Sequence, residues 1–146
     1  MRIKQQLRLV LPLVCLLAVG CGKQLDLAPV SGTVTLDGEP VDGIRVTFEP
    51  VIGEVDGVTM DEYYTSFGIT DENGHYEMKT EFQNELQPGA LVGNHTVRLV
   101  CMKTESFMNQ GLMDQRMVYD LPPRANDKSI KFTVPPEGTS EANFDL

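Results

Sequence analysis

The side chains of this chain that could serve as nucleophiles, bases or soft ligands are two histidines, four tyrosines and three cysteines. A metal centre needs such groups at spacings that bring them together, as in H-E-x-x-H on a helix or paired C-x-x-C. His75 and His95 stand in separate segments, and neither motif occurs. Tyr63, Tyr64, Tyr76 and Tyr119 would supply a tyrosine and histidine iron site, but their spacing singles out none of them. No G-x-S-x-G elbow or glycine-rich phosphate loop follows a strand pattern. Calcium would want oxygen ligands. "TDENGHY" offers Asp71, Glu72 and Asn73 ahead of Gly74 like the start of an EF-hand loop, yet it is too short to supply the alternating ligands of twelve positions. Glu54 and Asp56, with Asp61 and Glu62, make an acidic tract of the kind that is usually a solvated charge run. Asp71, Asn73, Glu54 and Asp56 are thus weak metal candidates only, and the chain is expected to be no enzyme and to hold no cofactor.

The elements that would carry these residues read as strands. Apolar residues alternate with polar ones in "VSGTVTL", where Val30, Val34 and Leu36 oppose Thr33 and Thr35, and in "IRVTFE", where Ile44, Val46 and Phe48 oppose Arg45, Thr47 and Glu49. Further strands are expected at "YYTSFGIT", at "HYEMKT" with Tyr76 and Met78 inward, at "HTVRLVCM", at "SIKFTV" and at "ANFDL". Asp37-Gly38 and Asn73-Gly74 are expected to be two-residue hairpin turns, because such turns need positive φ, which Gly allows and Asp or Asn tolerates. Pro50 should close the second strand. The tract from Val51 to Glu62 is expected to be an acidic loop or flexible edge. The tract from Lys103 to Lys128 is expected to be irregular; its Phe107, Met108, Leu112, Met113 and Met117 either offer an adaptable apolar surface or, the favoured expectation, have their methionines capping one end of the core. His75 should face solvent. Cys101 shares a strand face with Val97 and Leu99 and should be a buried, inert thiol. About seven short strands without helical periodicity describe an all-β chain, a β-sandwich.

Ahead of this domain, "LPLVCLLAVGCGKQ" is apolar but short. The run from Leu9 to Val19 falls well below the roughly 20 residues that cross a bilayer, and Arg2, Lys4 and Arg8 precede it with no acidic residue. That order is a secretory signal. The residues before Cys21, Leu17-Ala18-Val19-Gly20, resemble the lipobox of bacterial lipoproteins, with Ala18 where Leu is commonest. The resemblance implies cleavage after residue 20, acylation of Cys21, a tether over 21–28 and a domain over 29–146. Each buried methylene of the acyl chains adds about 0.8 kcal/mol of membrane affinity. Gly22 replaces the Asp that in some bacteria holds a lipoprotein in the inner membrane, so the outer membrane is the expected destination within the cell envelope.

The whole chain has 12 Lys and Arg against 21 Asp and Glu, net −9; three of the positives lie in the signal, which leaves −12 on the mature part. Such an acidic surface repels phosphates and excludes nucleic acid as a natural partner. With Cys15 in the signal and Cys21 acylated, Cys101 has no disulfide partner.

From about Pro29 onward, "VSGTVTLDGEPVDGIRVTFEP", "GITDENGHYEMKT", "PGALVGNHTVRLV" and "LPPRANDKSIKFTVPPEG" resemble the carboxypeptidase regulatory-like, transthyretin-like domain, and small bacterial lipoproteins that carry one such domain. Gly32, Val34, Pro40, Gly43, Val46, Phe48, Thr70, Asp71, Gly74 and Tyr76 carry the resemblance; Ile44 replaces the usual Ala, and His95 stands where an aromatic is usual. It implies a seven-stranded Greek-key, prealbumin-like sandwich without an enzymatic site. Two function classes follow as expectations. One is a non-catalytic envelope module, held to the membrane through Cys21, that contacts a protein or glycan. The other is a small-ligand carrier, which rests on fold analogy alone. Mass spectrometry of the protein from its own membranes should find a mature chain beginning at acylated Cys21, and Cys21→Ala should lose both the acyl mass and the membrane fraction. An unmodified soluble chain starting elsewhere would refute the anchor.

Overall fold

A computed structural model describes residues 25–51 and 64–146. Cys21, Glu54, Asp56, Tyr63 and the loop after Val51 lie outside the described residues. Fourteen strand segments form. They are β1 (Leu27–Ala28), β2 (Ser31–Leu36), β3 (Glu39–Pro40), β4 (Ile44–Pro50), β5 (Ser66–Ile69), β6 (His75–Glu77) and β7 (Lys79–Phe82), followed by β8 (Glu85–Pro88), β9 (Ala90–Leu91), β10 (Gly93–Cys101), β11 (Thr104–Asn109), β12 (Leu112–Met117), β13 (Lys131–Val134) and β14 (Phe144–Asp145). The described residues contain no α-helix, only a short 3₁₀ turn at Pro123–Ala125.

Six of the seven expected strands are present as single strands, with additions, while the seventh, "HYEMKT", is divided between β6 and β7. The largest sheet has the order β13-β10-β4-β5-β7-β8, and every pair in it is antiparallel. The smaller sheet places β14 parallel to one edge of β2, with β3 and β6 in tandem along the other. β1 pairs with β9, so Leu27 and Ala28, at the end of the expected tether, already belong to a sheet.

The two sheets bury their alternate residues against one another. From β4 come Ile44, Val46 and Phe48, and from β10 His95, Val97, Leu99 and Cys101. Val34 of β2, Tyr76 of β6 and Phe144 of β14 face them. Phe48 sits at the centre, its ring 5.3 Å from Phe132, 6.2 Å from Phe144 and 5.5 Å from His95. Burying Phe48 completely contributes roughly 1.5–3 kcal/mol.

Asp37 and Gly38, at φ 53° and 83°, form the expected primed turn between β2 and β3. Asn73-Gly74 does something else. Only Gly74 has positive φ, 70°, and a Cβ there would strike the Val34 carbonyl. The turn does not join paired strands, because β5 pairs with β4 and β7 while β6 pairs with β2. It carries the chain from one sheet to the other. "HYEMKT" then breaks at buried Met78 and returns to the first sheet as β7. Hydrogen bonds fix both crossings, the second through the Met78 N–H, which donates to the Val30 carbonyl at 2.8 Å, and the first through the Asp71 turn. Asp71 Oδ1 accepts the N–H groups of Asn73 and His75 at 2.9 and 3.0 Å. The Tyr76 hydroxyl, buried with its pKa pushed up by desolvation, donates to the Ala142 carbonyl at 2.5 Å. Gly32 lies under that same carbonyl, leaving no room for a Cβ.

His95 is the one polar side chain at the core's aromatic centre. Its Nδ1 lies 3.0 Å from the Gly93 carbonyl and donates to it, whereas buried Nε2 has no partner among the described residues. Desolvation lowers its pKa below 6.5, against a partial rise from the Gly93 bond. The folded core therefore refuses a proton that the unfolded chain accepts below pH 6.5. Stability should fall as pH drops from there toward the lowered folded value, by at most about 1.4 kcal/mol per pH unit. Urea midpoints at about pH 7.5 and about pH 5.5 should differ less in His95→Phe than in the wild type; an unchanged difference would show that His95 is not the group responsible.

Candidate functional site

The two histidines do not meet. His75 is exposed beside the Asp71 turn, on the opposite side of its strand from Tyr76, and His95 is in the core. Tyr64 packs edge-on to Phe82, with centroids 5.2 Å apart, and Tyr119 is engaged elsewhere, as described below. The turn's own N–H groups occupy one Asp71 oxygen, and Asn73 is exposed. Among the described residues no three His, Cys, Asp or Glu side chains converge. Cys101 is buried, its thiol donating to the Lys103 carbonyl at 3.3 Å.

The feature that stands away from the core is in the tract expected to be irregular. Residues 104–117 form a hairpin, β11 paired with β12 from Thr104↔Met117 to Asn109↔Leu112, around Gln110 and Gly111 at φ 50° and 83°. Every residue of both strands is exposed. The methionines therefore do not cap the core: Met108, Leu112 and Met113 are 67%, 74% and 73% exposed. Hairpins normally lay one face on a core, which is what makes strand patterns alternate in sequence. With water on both faces, no alternation marks these strands.

Opposite residues of an antiparallel pair share a face, so the register sorts the hairpin into two. Thr104, Ser106, Met108, Met113, Gln115 and Met117 form a face without any charge. The other bears Phe107, Asp114 and the Glu105–Arg116 ion pair at 2.6 Å, with the Arg116 guanidinium 5.4 Å from the Phe107 centroid. An uncharged methionine face is unusual on a chain of net −9, and unbranched thioethers adapt to varied apolar surfaces.

The root of the hairpin is clamped. Asp42, in the turn before β4, accepts Lys103 Nζ at 2.5 Å on one oxygen and the Tyr119 hydroxyl at 2.8 Å on the other. Lys103 immediately precedes β11 and Tyr119 follows β12, so one carboxylate ties both legs. The Met102 N–H donates to the Gly43 carbonyl at 2.8 Å, and the Val118 N–H to the Lys103 carbonyl at 2.9 Å. The Lys103 and Tyr119 bonds hold the Asp42 carboxyl below its usual range, while the Asp42 bond raises Lys103. Beside the root lies a solvent-open groove of about 670 Å³, lined among others by Cys101, Arg116, Tyr119, Leu121 and Pro123. No pattern in the sequence announces the clamp, because its partners lie 61 and 77 residues from Asp42.

No family model matches the chain, and neither a curated protein nor a solved structure matches it.

In Asp42→Ala, amide exchange should quicken across 104–117 while the β4 and β10 amides keep their protection. The wild-type hairpin should show the same loosening in acid, once pH falls through the lowered Asp42 value below 3.8. Hairpin exchange unchanged in the variant would mean that the strands hold themselves.

Proposed function

We propose that the chain is a non-catalytic, lipid-anchored module of the cell envelope, on a Greek-key sandwich of the carboxypeptidase regulatory-like, transthyretin-like kind, and that its hairpin contacts another envelope protein. The exposed, uncharged methionine face of β11 and β12 carries this reading. Both strands also keep an outer edge free for a partner strand among the described residues.

The position of the tether supports it. β1 enters beside Leu91, and the Val92 N–H donates to the Asp26 carbonyl at 3.0 Å, at the start of β10. The hairpin leaves from the other end of that strand. The eight steps between the first and last of β10's 9 residues, at about 3.3 Å each, separate the two ends by roughly 26 Å. A domain held through Cys21 would present the hairpin away from its own membrane. A small-ligand carrier, the alternative, would use the groove at the hairpin root. That groove is wide open, whereas small-molecule sites bury most of their ligand.

A photo-crosslinking residue at position 115, on the same face as Met108 and Met113, should trap a discrete protein adduct in intact cells, while one at position 137, near the β1 end, should not. Met108→Ser combined with Met113→Ser should abolish the adduct and leave the thermal midpoint within the small range usual for surface substitutions, about 0.5 kcal/mol. A stable variant that still forms the adduct would remove the hairpin from the contact.

A further inference from the structure

The outer face of the six-stranded sheet gathers the positive charge of an acidic molecule. Lys131, Arg98, Arg45, Phe67 and Lys79 come one each from the adjacent strands β13, β10, β4, β5 and β7. The registers Thr96↔Lys131, Arg98↔Thr47 and Arg45↔Ile69 make Lys131, Arg98 and Arg45 successive diagonal neighbours, about 7–8 Å apart. Phe67 continues the diagonal, and Lys79 stands directly opposite it. The line crosses five strands without a break.

These cations are ordered but little neutralised. The Arg45 guanidinium lies over the Phe67 ring, 4.5 Å from its centroid, which fixes its plane without consuming its charge. Among the described residues Arg45 and Lys79 have no acidic partner, and Lys131 Nζ donates only to Thr96 Oγ1, at 2.9 Å. Glu49, which binds Arg98 at 2.9 Å and Lys128 at 3.6 Å, and Glu81 are the carboxylates that the strands place on this face. Ile69, 54% exposed beside Arg45, adds an apolar contact.

We propose that this stripe binds a linear carboxylated polysaccharide, its carboxylates on the cations and the C–H face of a sugar ring on Ile69. The shape of the charge favours that occupant. A broad anionic membrane would be repelled by the rest of a chain of net −9, whereas a single flexible chain can follow the stripe alone. Duplex DNA, with a charge every 1.7 Å or so, is far denser than a line with at most one cation per strand, whereas a polyuronate carries one charge per sugar. The inference needs neither the hairpin contact nor the lipid anchor.

The test uses the full chain in neutral detergent and a fluorescent polygalacturonate oligomer at low ionic strength. Wild type should bind it, and added salt should weaken binding steeply. Lys79→Glu combined with Lys131→Glu, both exposed and outside any ion pair among the described residues, should lose roughly tenfold or more in affinity with an unchanged thermal midpoint. Met108→Ser with Met113→Ser should bind as wild type does, so failure here and failure of the hairpin reading are separable. No binding by the wild type, or binding that the charge reversal leaves intact, would overturn the proposal. So would displacement of the oligomer by phosphatidylglycerol-doped micelles more readily than by free polygalacturonate, which would give the stripe to a lipid surface. A salt-sensitive dimer that excludes the oligomer would give it to a second copy and overturn the proposal equally.

Discussion

Everything on this domain hangs from the pairing of β4 with β10, seven residues in one register from His95↔Pro50 to Cys101↔Ile44. Side chains alternate with a period of two, so a slip by one residue would send Arg45, Thr47 and Glu49 inward and Ile44, Val46 and Phe48 into water. The same register gives the core its Phe48 cluster and gives the outer face its diagonal of Lys131, Arg98 and Arg45. Charge on the outside and packing on the inside are one constraint, fixed by burial on one side only. The outer residues are held in line because their neighbours cannot move.

Much of this was legible in the residues themselves. Alternation located β2, β4, β5, β10, β13 and β14, and the Asp37-Gly38 turn was read correctly because two residues with positive φ have few substitutes. Asn73-Gly74 has the same chemistry but serves a sheet crossing. Local sequence specifies a turn, and which strands pair beyond it is settled by distant partners such as Val34 and Ala142. The Gln83-Asn84 turn between β7 and β8, at φ 53° and 65°, escaped notice because Gln is not a usual turn residue. The hairpin of residues 104–117 leaves no mark in the sequence for the opposite reason. Alternation records burial on one face, and this hairpin buries neither.

The surface is sorted as firmly as the core. Asp42 binds both legs of the hairpin, yet its oxygens reach Lys103 and Tyr119 only because the turn after β3 and the end of β10 are brought together by the β4 and β10 pairing. An arm exposed along its whole length would otherwise have little to keep it from fraying. Its rigid root and adaptable methionine tip make it a different kind of surface from the sheet face, where Arg45 is immobilised on Phe67. One suits apolar surfaces of variable shape, the other anions at fixed spacing.

The parallel pairing of β14 with β2 carries a consequence for how the chain reaches this state. Thr33 donates its N–H and hydroxyl to Asn143, 110 residues later, and Tyr76 waits for the Ala142 carbonyl. A chain made from its N-terminus has β2 and β6 in hand long before residues 142–145 arrive. Until then one edge of β2 has unpaired backbone groups, and the buried Tyr76 hydroxyl has no acceptor. Closure entropy for so long a loop must be met before its contacts return anything, which places this step late and makes it slow. A fold whose last strand must pair with one of its first cannot close while β14 is still missing, so the order of assembly is written into its topology.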